Sequence, residues 1–157
     1  MTEITAAVLA THPFLHGMSR DQLGVLAETA CEVRFPARHR LFEDGGNATR
    51  FWLIRSGQVA LDLHVPGEGP MVIETIGMGE LLGLSWLFPP YKWAFGAVAV
   101  TAINTFEFDA AAVRAACAAD PALGYELTGR LTRVLATRLQ ATRIRLLGRS
   151  GQTTSLY

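Results

Sequence analysis

The sequence is poor in the features that usually announce a chemistry. Two cysteines, Cys31 and Cys117, stand far apart with no CxxC spacing, which argues against a disulfide framework and a cysteine-ligated zinc or iron–sulfur site. Both are expected to be buried thiols. Four histidines, His12, His16, His39 and His64, place no two on one predicted helix face, and no Ser-His-Asp or paired-carboxylate pattern accompanies them. No enzyme class is indicated. Formal net charge is zero over 157 residues, so there is no global pull toward nucleic acid. The uncharged runs 81–91 and 93–106 fall short of the ~20 residues a spanning helix needs, and Pro89-Pro90 interrupts the first. No membrane span is expected. The N-terminus carries an acid at Glu3 and no basic segment ahead of its short apolar run, so no secretory signal is read and the cytoplasm is the expected compartment.

Apolar residues, by contrast, make up half of the chain, enough at this length for one domain with its own core. Ile4 to Ala10 reads as a short helix ended at His12-Pro13, because a residue before proline is pushed out of the α region. Ser19 is an N-cap with Asp21 in the first turn, and Leu23, Leu26, Ala27 and Ala30 share one face of a second helix that runs to about Cys31. From Glu32 to Phe108 the texture changes to short alternating runs: Glu32-Phe35, Arg40-Phe42, Phe51-Arg55, Gln58-Val65, Met71-Thr75, Gly96-Thr101 and Asn104-Glu107. Turn signals at Asp44 to Asn47, Ser56-Gly57 and Pro66 to Pro70 separate them. Many short strands at such spacing argue for an antiparallel sandwich or barrel.

Asp109 then caps a helix over Ala110 to Ala118, and Asp120-Pro121 opens a longer one, 121–147, closed by Gly148. Residues 148–157 read as a loose polar tail. Leu123, Leu127, Leu131, Leu135 and Leu139 recur every four residues, so their stripe drifts by about 40° per step around a 3.6-residue helix. The early part of the helix is expected to pack on its own barrel while Val134, Leu135, Leu139, Thr142 and Leu146 face elsewhere. Six arginines and no acid lie between Leu127 and Tyr157, a basic stripe that reads as a solvated face.

The segment Gly77 to Ala99 sits between two strand-like runs and is neither strand nor ordinary turn. Its residues Gly79-Glu80-Leu81-Leu82-Gly83-Leu84 resemble the phosphate-binding cassette of cyclic-nucleotide-binding domains, the family of the catabolite activator's sensor domain. The phrases HPFLHGMS and LFEDGGNATRFWLIRSGQVALDL resemble the family's entry segment and its glycine-marked hairpin, so the likeness covers His12 to Leu147. It implies a mainly β fold with flanking helices, a double-stranded β-helix or jelly-roll barrel with a long C-terminal dimerisation helix. The domain would span 1–147 as a stand-alone regulatory or sensor unit. It also implies a ligand, cAMP or cGMP, held by backbone amides from Gly79 to Leu84, with Glu80 accepting from the ribose 2′-hydroxyl. In the family an arginine followed by small residues clamps the cyclic phosphate. Here Lys92-Trp93-Ala94 stands in that place, with Trp93 at the arginine position, so the cassette is divergent. Lysine would supply charge without the planar fork.

Three readings of the loop stay open on sequence. In the first, the site is kept with a weaker clamp at Lys92. Alternatively Trp86, Phe88, Tyr91 and Trp93 line a site for another small molecule, or the domain is a ligand-free adaptor for a partner protein. Against these, Glu80 can cap its own turn and the aromatics can belong to the core. Ten residues follow Leu147 in this sequence, so no helix-turn-helix and no sequence-specific DNA binding is expected.

Overall fold

The computed structural model describes residues 3–150. Two short helical segments lead in: α1 (Ala6–Leu9), a 3-10 turn (Pro13–Leu15) and then α2 (Arg20–Ala27). Eight strands follow, β1 (Ala30–Phe35), β2 (Arg40–Phe42), β3 (Arg50–Ser56), β4 (Gln58–Val65), β5 (Gly69–Gly77), β6 (Leu81–Leu82), β7 (Gly96–Ala99) and β8 (Ile103–Asp109). Two helices close the chain, α3 (Ala110–Ala119) and α4 (Pro121–Ser150). The strands form two antiparallel four-stranded sheets, ordered β1-β8-β3-β6 and β2-β7-β4-β5. This is the mainly β, jelly-roll-type architecture with flanking helices that the sequence implies.

Residue chemistry explains where the core lies. Phe51, Trp52, Leu53 and Ile54 are buried in succession on β3, the mark of a strand covered on both faces. The aromatic rings of Phe51, Phe108 and Trp86 stack in series, with centroids 4.8 Å apart for the first pair and 4.2 Å for Phe51 and Trp86. The hairpin between β3 and β4 turns at Gly57, whose φ of +90° and whose missing Cβ, 2.4 Å from the Ala102 carbonyl had it existed, exclude any other residue. Helix ends follow their caps. Ser19 and Gln22 form a reciprocal capping box, Asp109 accepts from the Ala112 amide at 3.0 Å, and Asp120 accepts from the Ala122 amide at 3.1 Å.

Several expectations need correction. The second helix stops at Ala27, because the Thr29 hydroxyl donates to the Leu26 carbonyl at 2.7 Å and Ala30 already pairs with Phe108. Cys31 therefore lies on β1 and is exposed, while Cys117 is half-buried; neither is a fully buried thiol. Gly148 does not end the last helix, which runs to Ser150. One interior glycine costs about 1 kcal/mol, too little to stop a helix between good helix formers. The part of the expected tail at 151–157 lies outside the described residues. Within α4 the drift of the leucine stripe has the consequence its geometry demands. Leu123, Leu127 and Leu131 are buried, whereas Leu135 and Leu139 are 55% and 50% exposed. Among the described residues no helix is long and apolar enough to cross a membrane.

The lead-in segment is pinned beside the divergent loop by His12. Its Nε2–H donates to the Ile54 carbonyl at 2.8 Å, its Nδ1 accepts from the Phe14 amide at 3.2 Å, and the ring is 3% exposed. Both nitrogens are thus committed to the neutral form. Burial pushes its pKa below the ordinary 6.5, with nearby Arg55 adding to the push and the Ile54 bond opposing it. The folded chain therefore binds this proton less readily than the unfolded one. The His12 contribution is fully present above the unfolded value and is lost as pH falls through the folded one. Stability measured by urea unfolding is expected to decline from pH 7 toward pH 5, with a shallower decline in His12→Asn. Equal slopes in the two proteins would show that His12 is not the titrating group.

Candidate functional site

The divergent loop begins on ordinary hydrogen-bonding needs. The Gly79 amide donates to the Ile54 carbonyl at 2.9 Å and the Glu80 amide to the Gly77 carbonyl at 3.1 Å. Leu81 and Leu82 pair with Leu53 and Trp52 of β3 as strand β6, which the sequence reading placed in a loop. Much of the backbone expected to face an anion is thus already engaged. The Glu80 carboxylate turns back on its own loop and accepts from the Gly77 amide at 2.7 Å. It is a turn cap in this state, although the side chain remains exposed.

Trp93 lies in the interior, only 4% exposed. Its ring stacks on Phe42 with centroids 3.9 Å apart and planes 14° from parallel, and it reaches Trp52 at 6.2 Å. Gly83 makes this placement feasible: a Cβ there would stand 2.9 Å from the Trp93 ring, and its φ is +105°. The neighbouring backbone is zipped to the turn after β2, with the Trp93 amide donating to the Gly46 carbonyl at 2.9 Å and the Gly45 amide to the Trp93 carbonyl at 2.8 Å. Side chains alternate about that ladder. Trp93 points in, so Lys92 points out, and its ammonium donates to Asn47 Oδ1. Ala94 is exposed beside it, and Leu84 is half-buried at the start of a 3-10 turn, Ser85–Leu87.

The site residues read from sequence thus fall into two groups. Gly79, Glu80, Leu81, Leu82, Gly83 and Leu84 lie on and beside β6, with the Trp93 ring against Gly83. Lys92 and Ala94 belong to the surface of another turn. The four loop aromatics also divide. Trp86 is fully buried on Phe51 with its indole N–H donating to the Gly83 carbonyl at 2.9 Å, and Tyr91 lies 4.1 Å under the Arg114 guanidinium. Phe88 is 55% exposed.

Sequence reasoning missed the arginines of α4. They do not form a uniformly solvated face. Arg130 donates to the Phe14 carbonyl at 2.7 Å and pairs with Glu126 at 2.8 Å, Arg138 donates to the Leu81 carbonyl, and Arg145 donates to the Ile73 carbonyl at 3.1 Å. Burial pulls the Arg138 guanidinium below its usual range, with Glu74 and Glu80 opposing the shift. The sequence signal was the placing of Arg133 and Arg138 three and eight residues after Arg130, both within about 80° of it around the helix. Their acceptors are main-chain carbonyls, which no charge pattern can show. Among the described residues no group of three or more His, Cys, Asp or Glu side chains could hold a metal ion.

Comparison with known proteins gives the same fold and places this loop in context. The cyclic nucleotide-binding domain family matches residues 32–120, more than half of the chain. A CRP-like cAMP-activated global transcriptional regulator of Mycobacterium tuberculosis is 27% identical over 135 residues, which are 86% of this chain and 58% of the regulator. The chain therefore spans little more than half the length of that relative. Among solved structures, a proposed cyclic nucleotide-binding protein of Geobacter metallireducens superposes with a TM-score of 0.78 at 23% identity, covering 87% of this chain and 98% of that one. A cAMP-binding acyltransferase of Mycobacterium smegmatis superposes with a TM-score of 0.71 at 26% identity, covering 88% of this chain and 42% of that one. With the matching family model spanning more than half of the residues, the chain belongs to the cyclic nucleotide-binding domain family.

Proposed function

We propose that this chain is a non-enzymatic regulatory domain whose barrel is closed to cyclic nucleotides, and that it acts in the cytoplasm as a homodimer joined through α4. The observation that carries this reading is the packing of Trp93. The family's clamp for a cyclic phosphate is an arginine fork, and at the matching position stands a neutral ring stacked on Phe42 and Trp52. Lys92, the cation next to it in the chain, bonds to Asn47 instead. A charge-assisted hydrogen bond contributes about 1.5–3 kcal/mol, so losing a paired contact moves a micromolar site toward the millimolar range.

Calorimetric titration with cAMP and cGMP tests this directly. No saturable heat is expected up to about 0.1 mM ligand, a concentration that would fill a micromolar site. Saturable micromolar binding that disappears in Glu80→Ala would mean that the chain holds the phosphate by another route.

A further inference from the structure

We propose that the cleft between α4, the loop Gly79–Leu81 and the lead-in 3-10 turn is a binding site for a small multivalent oxyanion, one bearing phosphate or carboxylate groups. The cleft measures about 360 Å³, inside the range of small-molecule sites. Arg130, Arg133, Arg138 and His16 line it together with one acid, Glu80, and among the described residues only Arg130 of the three arginines is paired, with Glu126 outside the lining. Glu80 is already engaged with the Gly77 amide. Phe14 and Val134 supply an apolar wall for the remainder of an organic anion.

Two features separate this cleft from a solvated basic face. Arg138 is half-buried, yet its hydrogen-bond partner is a neutral carbonyl, that of Leu81, and among the described residues it forms no ion pair. A guanidinium has five N–H donors in a fixed fork, so one carbonyl leaves most of them unfilled, and Glu74 and Glu80 offset its charge without bonding to it. Arg133 lies within the same lining and makes no hydrogen bond or ion pair with the described residues, and the His16 side chain is likewise free. An oxyanion between them would satisfy both arginines with charge-assisted bonds. It would also join α4 to the loop. The cleft shares Gly79, Glu80 and Leu81 with the cassette, but Lys92 and Trp93 take no part in its lining. The proposal therefore holds whether or not the barrel admits a cyclic nucleotide.

The test is an NMR titration of the ¹⁵N-labelled full chain with inorganic pyrophosphate and, separately, with citrate, at ionic strength held constant with sodium chloride. The Gly79, Glu80 and Leu81 amides and the Arg138 Nε–H are expected to shift saturably, with half-saturation at about 1 mM or below for the better anion. The tighter of the two identifies a phosphate or a carboxylate ligand. Arg133→Glu, at an exposed position, is expected to raise half-saturation by at least about tenfold, the scale of one charge-assisted bond. Arg143→Glu, exposed on the same helix and outside the cleft, is expected to leave it unchanged. No saturable shift from either anion up to about 10 mM, or equal weakening by both variants, would overturn the proposal. Entry of a ligand into the barrel would instead move the Trp93 indole resonance, so the outcome for the cleft is read separately from the outcome for the barrel.

Discussion

Trp93→Arg is expected to convert the domain into one whose stability depends on cyclic nucleotide. Removing the ring takes away a buried aromatic that stacks on Phe42 at 3.9 Å and touches Gly83, and large aromatic truncations in cores cost about 3–5 kcal/mol. The guanidinium that replaces it brings a charge into that space, and an unpaired buried charge adds to the loss. For a chain of this size, with roughly 2–4 °C per kcal/mol, the unliganded variant should melt about 10 °C or more below the parent. Cyclic AMP is then expected to recover part of the loss, because the fork stands where the family places its phosphate clamp and Ala94 supplies the small residue after it. At one hundred times its dissociation constant a ligand stabilises by about 2.7 kcal/mol. Trp93→Ala provides the control, with a similar fall in melting temperature and no response to nucleotide. The parent is expected to show no thermal shift. An equally strong shift in the parent, or a Trp93→Arg protein as stable as the parent, would show that the ring does not close the site.

Why the fold could be read from sequence, and the state of the loop could not, has a physical basis. Strands β2 and β4 carry their limits in apolar content and flanking turn residues, and Gly57 marks a hairpin that only glycine can make. Caps at Ser19, Asp109 and Asp120 are local chemistry, so they too are visible one residue at a time. Strand β6 is only Leu81 and Leu82, too short for any period to register, and its existence depends on the free edge of β3. The direction of Trp93 depends on the pairing of its own backbone with Gly45 and Gly46, a contact across nearly a third of the chain. Sequence could place a tryptophan at the clamp position. It could not decide between a ring in the barrel and a ring at the surface, nor send Lys92 to Asn47. The anchoring of Arg130 and Arg138 was hidden for a related reason, since a carbonyl acceptor carries no residue type.

Leu135→Asp with Leu139→Asp is expected to turn a dimer into a well-folded monomer. In the single chain these side chains are 55% and 50% exposed, and Leu146, on the same side of the helix, is 57% exposed. An apolar surface of that extent on one helix is unusual for a chain that stays alone. Fully burying a leucine is worth about 1.5–3 kcal/mol, so covering half of each on two copies of several residues supplies an association energy of useful size. Leu135, Leu139, Thr142 and Leu146 are spaced four, three and four residues apart, the pattern that keeps one seam toward a partner helix. Leu123, Leu127 and Leu131 are buried within the same chain, so the seam starts only where intramolecular packing ends. Substitution beyond that point should leave the barrel intact. Light scattering is expected to give a dimer for the parent at tens of micromolar and a monomer for the double variant, with far-ultraviolet dichroism of the barrel unchanged and unfolding still cooperative. A parent that is monomeric at that concentration, or a double variant that stays dimeric, would remove α4 as the joining element. The same helix carries Arg133 between the last buried leucine and the first exposed one, and Arg138 between the two exposed ones, so an anion that fixes α4 to the loop also fixes the angle at which the seam leaves the barrel. Sedimentation of the parent with and without pyrophosphate should therefore differ, while the double variant, lacking the seam, stays monomeric in both.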